Sequence, residues 1–402
     1  FSKIEPPADS WQTESTRDGI AVPIGHSGAS KRQIFEYSSN RSAYHGVMLG
    51  QTGSGKSMLL HVLISSLALT YSPDELQLYL IDFKEGVEFK LYAEKRLPHA
   101  RVIAIRSEPE FGLSVLEGLV AELERRGELF RKASETYGEV QDLASYRNRT
   151  GKPLPRILLI IDEFQVLFAD DYSLNSRATQ LLEHIARQGR SVGVHLLLVS
   201  QTLAGSANLP RPTLSQMSVR IALRCDESDA RLIFDDKNPA ARDLIRPGEA
   251  VYNDGSGKIE ANSEFQVAFL NKDKGQREAL LDKINTRHAA WMKATGTSPL
   301  PLKIFEGDEN AEITECSELS NAFHAPFAVE SRRLVAWVGE PIAIKNATVA
   351  TFRRQSRSHL LIVGQDEESA RGTMEAVALS PIAQSCKAPT PARIEVVDLT
   401  PV

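Results

Sequence analysis

Two short segments carry the residue types that phosphate chemistry needs. Gly50-Gln51-Thr52-Gly53-Ser54-Gly55-Lys56-Ser57 meets the spacing GxxxxGK[ST] in full, and Asp162-Glu163 closes the apolar run Ile157-Leu158-Leu159-Ile160-Ile161. Glycines let a loop adopt positive φ and turn its N–H groups inward. A helix that starts at such a loop adds the positive end of its dipole. In that setting Lys56 reaches the β- and γ-phosphates of a nucleotide, and the Ser57 hydroxyl is a ligand for Mg²⁺. Gly50, Gln51, Thr52, Gly53, Ser54, Gly55, Lys56, Ser57 and the following Met58 are therefore candidate nucleotide contacts. Asp162 joins them as the acid that holds the Mg²⁺ water shell, and Glu163 as the general base that polarises an attacking water. A strand ending in two acids is commonly a solvated turn. Beside a phosphate loop the pair gains a purpose, and Glu163 predicts hydrolysis of ATP, not mere binding.

Two further polar residues stand near these elements. Gln201 ends the apolar run 194–200, where a polar tip either senses the γ-phosphate or simply caps a strand. Arg190 lies in Arg187-Gln188-Gly189-Arg190-Ser191, and by spacing alone it is an ordinary solvated arginine.

The elements that must position these groups alternate. A short apolar strand at 46–49 runs into the glycine loop, and helical spacing follows over 56–70. Strands are expected at 19–25, 76–83, 156–162, 194–201 and 218–224, and helices at 111–136, 179–188 and 227–234. Strands apolar on both faces and separated by helices imply a mostly parallel α/β sheet. Residues 1–17 read as the tail of a linker. Residues 276–325 read as a second linker, with Pro299 and Pro301 inside it, although 276–293 could form one helix.

Bulk properties exclude some classes. The 402 residues carry a net charge of −5, so contact with a polyanion has to come from a local basic patch or from assembly. Cys225, Cys316 and Cys386 are scattered, with neither disulfide-framework nor zinc spacing, which suits a reducing, cytoplasmic setting. No apolar run reaches the roughly 18 residues of a membrane span. The chain opens on Phe1, which is the mark of a fragment, and a membrane tether could lie outside it.

In combination the segments resemble the FtsK/SpoIIIE family of ring-forming motor ATPases. The matching stretches are GQTGSGKS (50–57), LIDFKEGVEF (80–89), LPHARV (97–102), ELERRGELF (122–130), LLIIDEF (158–164), RQGRSVGVHLLLVSQ (187–201) and RIALRC (220–225). They run in family order from about residue 18 to 270. The resemblance implies a RecA-like P-loop ATPase core over 18–275, acting as a homo-hexamer with ATP between subunits. It also gives Arg190 a role, as an arginine finger that stabilises charge on the γ-phosphate of the neighbouring subunit. Asp82 and Lys84 match a segment near the nucleotide and receive no role.

A second unit is expected over 326–402, with strands at 333–339, 359–364 and 393–399 and a helix at 370–379. Gly50 to Asp82 is 32 residues and Gly364 to Asp398 is 34, which suggests a truncated duplicate. Its loop reads Gly364-Gln365-Asp366-Glu367-Glu368-Ser369-Ala370-Arg371, without the lysine and with acids where phosphates would go, so this copy is expected not to hydrolyse ATP. An unrelated accessory domain is the other reading. For the whole, the resemblance implies a translocase of double-stranded DNA, with Arg211, Lys237, Arg242 and Arg246 as scattered basic candidates. The alternative is a protein-export motor similar to EccC of type VII secretion, which the degenerate follower and the DFK in place of DPK both suit.

Overall fold

Strand residues buried on both faces fix the centre of this protein. Every residue of Gly46–Leu49, Ala100–Ile105, Arg156–Asp162, Val194–Ser200 and Val219–Leu223 is buried, a pattern that only a sheet covered by helices on both sides can satisfy. The computed structural model describes residues 1–28, 30–38, 43–84, 88–168, 172–203, 211–270, 274–307, 316–324, 333–339, 348–353, 359–363 and 367–385. They divide into two units, Phe1–Gly307 and Asp308–Val402.

In the first unit the strands are β1 (Gly19–Ser27), β2 (Lys31–Ser38), β3 (Gly46–Leu49), β4 (Leu76–Asp82), β5 (Ala100–Ile105), β6 (Arg156–Asp162), β7 (Val194–Ser200), β8 (Val219–Leu223), β9 (Glu249–Asn253), β10 (Asn262–Val267) and β11 (Lys303–Glu306). They form one eleven-stranded sheet in the order β11-β5-β4-β6-β7-β3-β8-β9-β10-β1-β2. From β11 to β8 all pairings are parallel. From β8 onward they are antiparallel. The expected mostly parallel α/β sheet is therefore present, with an antiparallel wing. Two apolar cores lie on its faces. In β6, Leu158 and Ile160 enter the core that holds the Lys56–Thr70 helix, while Ile157, Leu159 and Ile161 enter the one that holds the Pro109–Tyr137 helix. This is the period-two alternation of a strand buried on both sides.

The two expected linkers belong largely to this unit. In residues 1–17, Ile4 and Trp11 are buried, and the Trp11 indole N–H donates to the Ala68 carbonyl at 3.0 Å. Two large apolar side chains outweigh a polar composition. Residues 276–325 contain most of the helix Lys274–Thr295, which buries Leu281 and Ile284, and then β11, which extends the sheet beside β5. The helix ends at Gly296, which has φ 70° and whose N–H donates to Met292 O at 2.8 Å, and Pro299 and Pro301 lie between it and β11.

Among its described residues the second unit has a helix at Ser317–His324, an antiparallel pair of β12 (Arg333–Gly339) and β13 (Thr348–Arg353), and a helix at Glu367–Ser385. That helix packs on β12, where the Ser380 hydroxyl accepts from Trp337 N–H at 2.9 Å. Residues 359–363, expected as a strand, pair with none of the described strands, and Leu361 and Val363 are exposed. Gly364, Gln365 and Asp366 of the altered loop and the expected strand at 393–399 lie outside the described residues. No helix among the described residues is long and apolar enough to cross a membrane.

Candidate functional site

Sheet order brings the sequence candidates together. β7 lies between β3 and β6, so three strand ends converge at the carboxyl edge: β3 with the glycine loop, β6 with Asp162-Glu163 and β7 with Gln201. Ligands of open α/β sheets bind in such a crevice. The loop is stitched across it. Gly50 N–H donates to Ser200 O at 3.3 Å, Gln51 N–H to Arg224 O at 3.2 Å, and Gly248 N–H to Ser54 O at 2.7 Å.

Glycine is required at two positions in this loop. Gly53 has φ 80° and Gly55 has φ 106°, and a β-carbon on Gly55 would come within 2.9 Å of Gly248 N. The Lys56–Thr70 helix starts directly after Gly55 and has no side-chain cap on its first-turn N–H groups. Those donors face the loop and suit a phosphate. The Ser54 hydroxyl oxygen is buried without a hydrogen-bond partner among the described residues, a further polar atom turned toward an absent acceptor or donor. These residues fit a nucleoside triphosphate with its Mg²⁺.

Lys56 is the hub. Its ammonium bonds Asp162 Oδ1 and lies 3.4 Å from Glu163 Oε1. All three residues are buried. Burial works against the Lys56 ammonium, but the two carboxylates outweigh it and hold its pKa above the ordinary lysine value. Burial pushes the Asp162 carboxyl up, with Lys56 opposing. Burial acts the same way on Glu163, yet Lys56 and the donors from Gln165 and Gln201 prevail and hold it below the usual range. Glu163 therefore stays ionised. Its backbone has φ 55°, a left-handed conformation rare for such a residue and concentrated at functional sites.

Gln201 is more than a strand cap here. Its Oε1 accepts from the Thr52 hydroxyl at 2.9 Å, and its N–H points to Glu163 Oε2 at 3.4 Å. It links the glycine loop to the Glu163 carboxylate. Met58 turns elsewhere, since its sulfur accepts from Leu270 N–H at 3.3 Å, so only its backbone N–H remains for a phosphate. Arg190 is not gathered into the pocket. It sits in the last turn of the Tyr172–Val192 helix, four residues before β7 begins, with its guanidinium 4.3 Å over the Tyr44 ring. A strand of this length spans roughly 20 Å, so Arg190 and Gln201 stand at opposite edges of the sheet.

Sequence reasoning missed one neighbour of the loop. The Ser57 hydroxyl donates to Glu88 Oε1, and Glu88 is also close to His61 Nε2, at 3.4 Å. Burial raises the Glu88 carboxyl, but His61, Ser57 and Lys56 together hold it below the ordinary glutamate value. The signal was present in the matching segment at 80–89, but spacing does not reveal that Glu88 meets Ser57.

Comparison with known proteins agrees with this geometry. The sequence matches the FtsK/SpoIIIE family over residues 5–205. It is 35% identical over 225 residues to the ESX secretion system protein EccC of Thermomonospora curvata, an alignment covering 54% of this chain and 16% of that protein. It is 32% identical over 240 residues to the ESX-1 secretion system protein EccCa1 of Mycobacterium tuberculosis, covering 56% of this chain and 31% of that one. The chain thus spans less than a third of these relatives. The solved cytoplasmic domain of the Thermomonospora curvata type VII secretion ATPase EccC superposes with a TM-score of 0.63 at 25% identity, over 86% of this chain and 40% of that one. The pCW3 conjugation coupling protein TcpA shares the fold, with a TM-score of 0.54 at 24% identity, over 71% of this chain and 74% of that one. With half of its length matched, this chain belongs to the FtsK/SpoIIIE family and carries a P-loop ATPase domain of that family.

Proposed function

We propose that this chain is the ATP-hydrolysing part of a protein-export motor of EccC type, cytoplasmic and held at a membrane by segments outside it. The observation that carries the hydrolytic half is the convergence of Lys56, Asp162, Glu163 and Gln201 on one loop. In this reading the loop N–H groups and Lys56 hold the β- and γ-phosphates. Glu163 orients a water in line with the γ-phosphorus and accepts its proton, and ADP leaves. Mg²⁺, held by Ser57 and by Asp162 through water, supplies neutralisation of the β- and γ-oxygens.

Export displaces DNA translocation as the polymer-moving activity. The relatives at 30 to 35% identity that support it are named as secretion-system proteins. The basic candidates also lend DNA little. Arg242 pairs with Glu227 at 3.3 Å and with Asp243 at 3.0 Å, and Arg246 lies 3.9 Å from Glu249. The Arg211 side chain lies outside the described residues. ATP turnover measured with linear duplex DNA and, separately, with signal-sequence peptides of secreted proteins distinguishes the two. Export predicts stimulation by a peptide and none by DNA at moderate salt. Salt-sensitive stimulation by DNA alone would reverse the assignment.

The second unit supports a tandem arrangement. From the start of β1 to Gly50 is 31 residues, and from the start of β12 to Gly364 is also 31. Both runs open with an antiparallel strand pair that carries a register shift and end before a long helix. We read the second unit as a degenerate copy of the first, with a regulatory role.

Arg190 stands across the sheet from its own loop, and the family resemblance gives it the role of serving a neighbouring subunit in a ring, with a homo-hexamer as the expected assembly. Chains with Arg190→Ala and chains with Lys56→Ala should each be inactive and should regain turnover when mixed. In random equal mixtures about a quarter of head-to-tail interfaces are intact. Assemblies shown to mix but not to recover at any ratio would exclude the trans role.

A further inference from the structure

We infer that Glu88 is a positioning residue for the metal end of the site: it takes the proton of the Ser57 hydroxyl in a hydrogen bond and so turns a lone pair of that oxygen toward Mg²⁺. The inference rests on the ATP reading of the loop and adds a residue to it. A hydroxyl that ligates a cation keeps one proton to donate, and something must accept it. Asp162, the carboxylate expected nearby, is engaged by the Lys56 ammonium and by Glu163 N–H at 3.1 Å. Glu88 is the acceptor that Ser57 meets.

The carboxylate is held in place from several sides. At the tip of β4, Asp82 pairs in register with Asp162 at the tip of β6. Its carboxylate accepts from Lys84 N–H at 2.8 Å and also from Glu88 N–H. Asp82 thereby bonds the backbone of both Lys84 and Glu88, and Glu88 meets Ser57 in the first turn of the Lys56–Thr70 helix. On the far side His61, one turn along that helix, lies 3.4 Å from Glu88 Oε2. The His61 ring is oriented in turn by the Tyr92 hydroxyl at 2.8 Å on Nδ1. Such support behind a ligand sets its orientation and its affinity for metal.

The test compares binding of a non-hydrolysable ATP analogue with excess Mg²⁺ and with EDTA, for the wild type, Glu88→Ala and Glu88→Gln. Thermal melting of each variant accompanies it. Glu88→Ala should leave affinity in EDTA near the wild-type value and reduce the Mg²⁺-dependent gain about tenfold, the size of one charge-assisted hydrogen bond. Glu88→Gln keeps an acceptor oxygen and should recover most of the gain. A Mn²⁺ titration in the presence of the analogue, read by paramagnetic resonance, should show the same order. A full Mg²⁺ gain in Glu88→Ala would overturn the inference, as would equal losses with and without metal in both variants. A wild-type chain that binds no analogue would sink the ATP reading and this inference with it, whereas normal wild-type binding beside an unchanged Glu88→Ala sinks the inference alone.

Discussion

Lys56→Ala should lower ATP turnover by about 100-fold or more and weaken nucleotide binding as well. Lys56 is the only cation bonded to Asp162 and Glu163 among the described contacts, and its ammonium is buried between them. Taking it away does two things. It removes a charge-assisted contact to phosphate worth roughly 1.5–3 kcal/mol. It also leaves two buried carboxylates facing a polyanion with nothing to offset them, an arrangement that costs about 3–5 kcal/mol when one partner of a buried pair is lost. The check is steady-state turnover and equilibrium binding beside a melting curve. Wild-type turnover in a folded Lys56→Ala chain would remove the loop from the account.

The second large effect separates chemistry from binding. Glu163→Gln should keep ATP affinity and lower turnover by about 10²–10⁴, the usual contribution of a positioned base. The substitution preserves shape, and an amide oxygen can still accept from Gln165 at the position where Glu163 Oε2 now accepts at 2.6 Å. What it removes is the charge that takes up the proton of the attacking water. The bond between Lys56 and Asp162 is left intact, so the phosphate grip persists. Measured together, an unchanged dissociation constant and a collapsed rate mark Glu163 as the base. An unchanged rate would transfer that role to another group.

The central strands and the phosphate loop were legible because each is written in consecutive residues. A run such as Ile157–Ile161 buries both faces, and GxxxxGK[ST] fixes a turn by glycine alone. The antiparallel wing was not legible in the same way. β2 opens on the exposed Lys31 and Arg32 and mixes Gln33, Glu36 and Ser38 with its apolar residues, and β10 buries only Phe265 and Val267, so neither has the apolar density that announces a strand. The tail at 1–17 was hidden for a related reason, and the helix at 274–295 was readable as a possible helix but not as part of the core. Their burial depends on a few anchors, Ile4, Trp11, Leu281 and Ile284, set in polar sequence. In the site, Gln201 was placed at the right strand tip, but its bond to Thr52 required knowing that β7 inserts between β3 and β6. Glu88 needed the backbone bond that Asp82 makes to it, a contact made by folding and not by spacing. The lean toward DNA came from the breadth of the motor family and not from any residue. Lys237, Arg242 and Arg246 lie in the connection between the Glu227–Ile233 helix and β9, and two of them are paired with acids.

The measurement that bears most directly on the central claim is single-turnover hydrolysis of ATP, at protein in excess over nucleotide, for the wild type, Glu163→Gln and Lys56→Ala. The account predicts that the wild type converts bound ATP to ADP and phosphate, that Glu163→Gln retains ATP unconverted, and that Lys56→Ala neither retains nor converts it. Conversion by Lys56→Ala at the wild-type rate would contradict the assignment of this loop as the site of ATP hydrolysis.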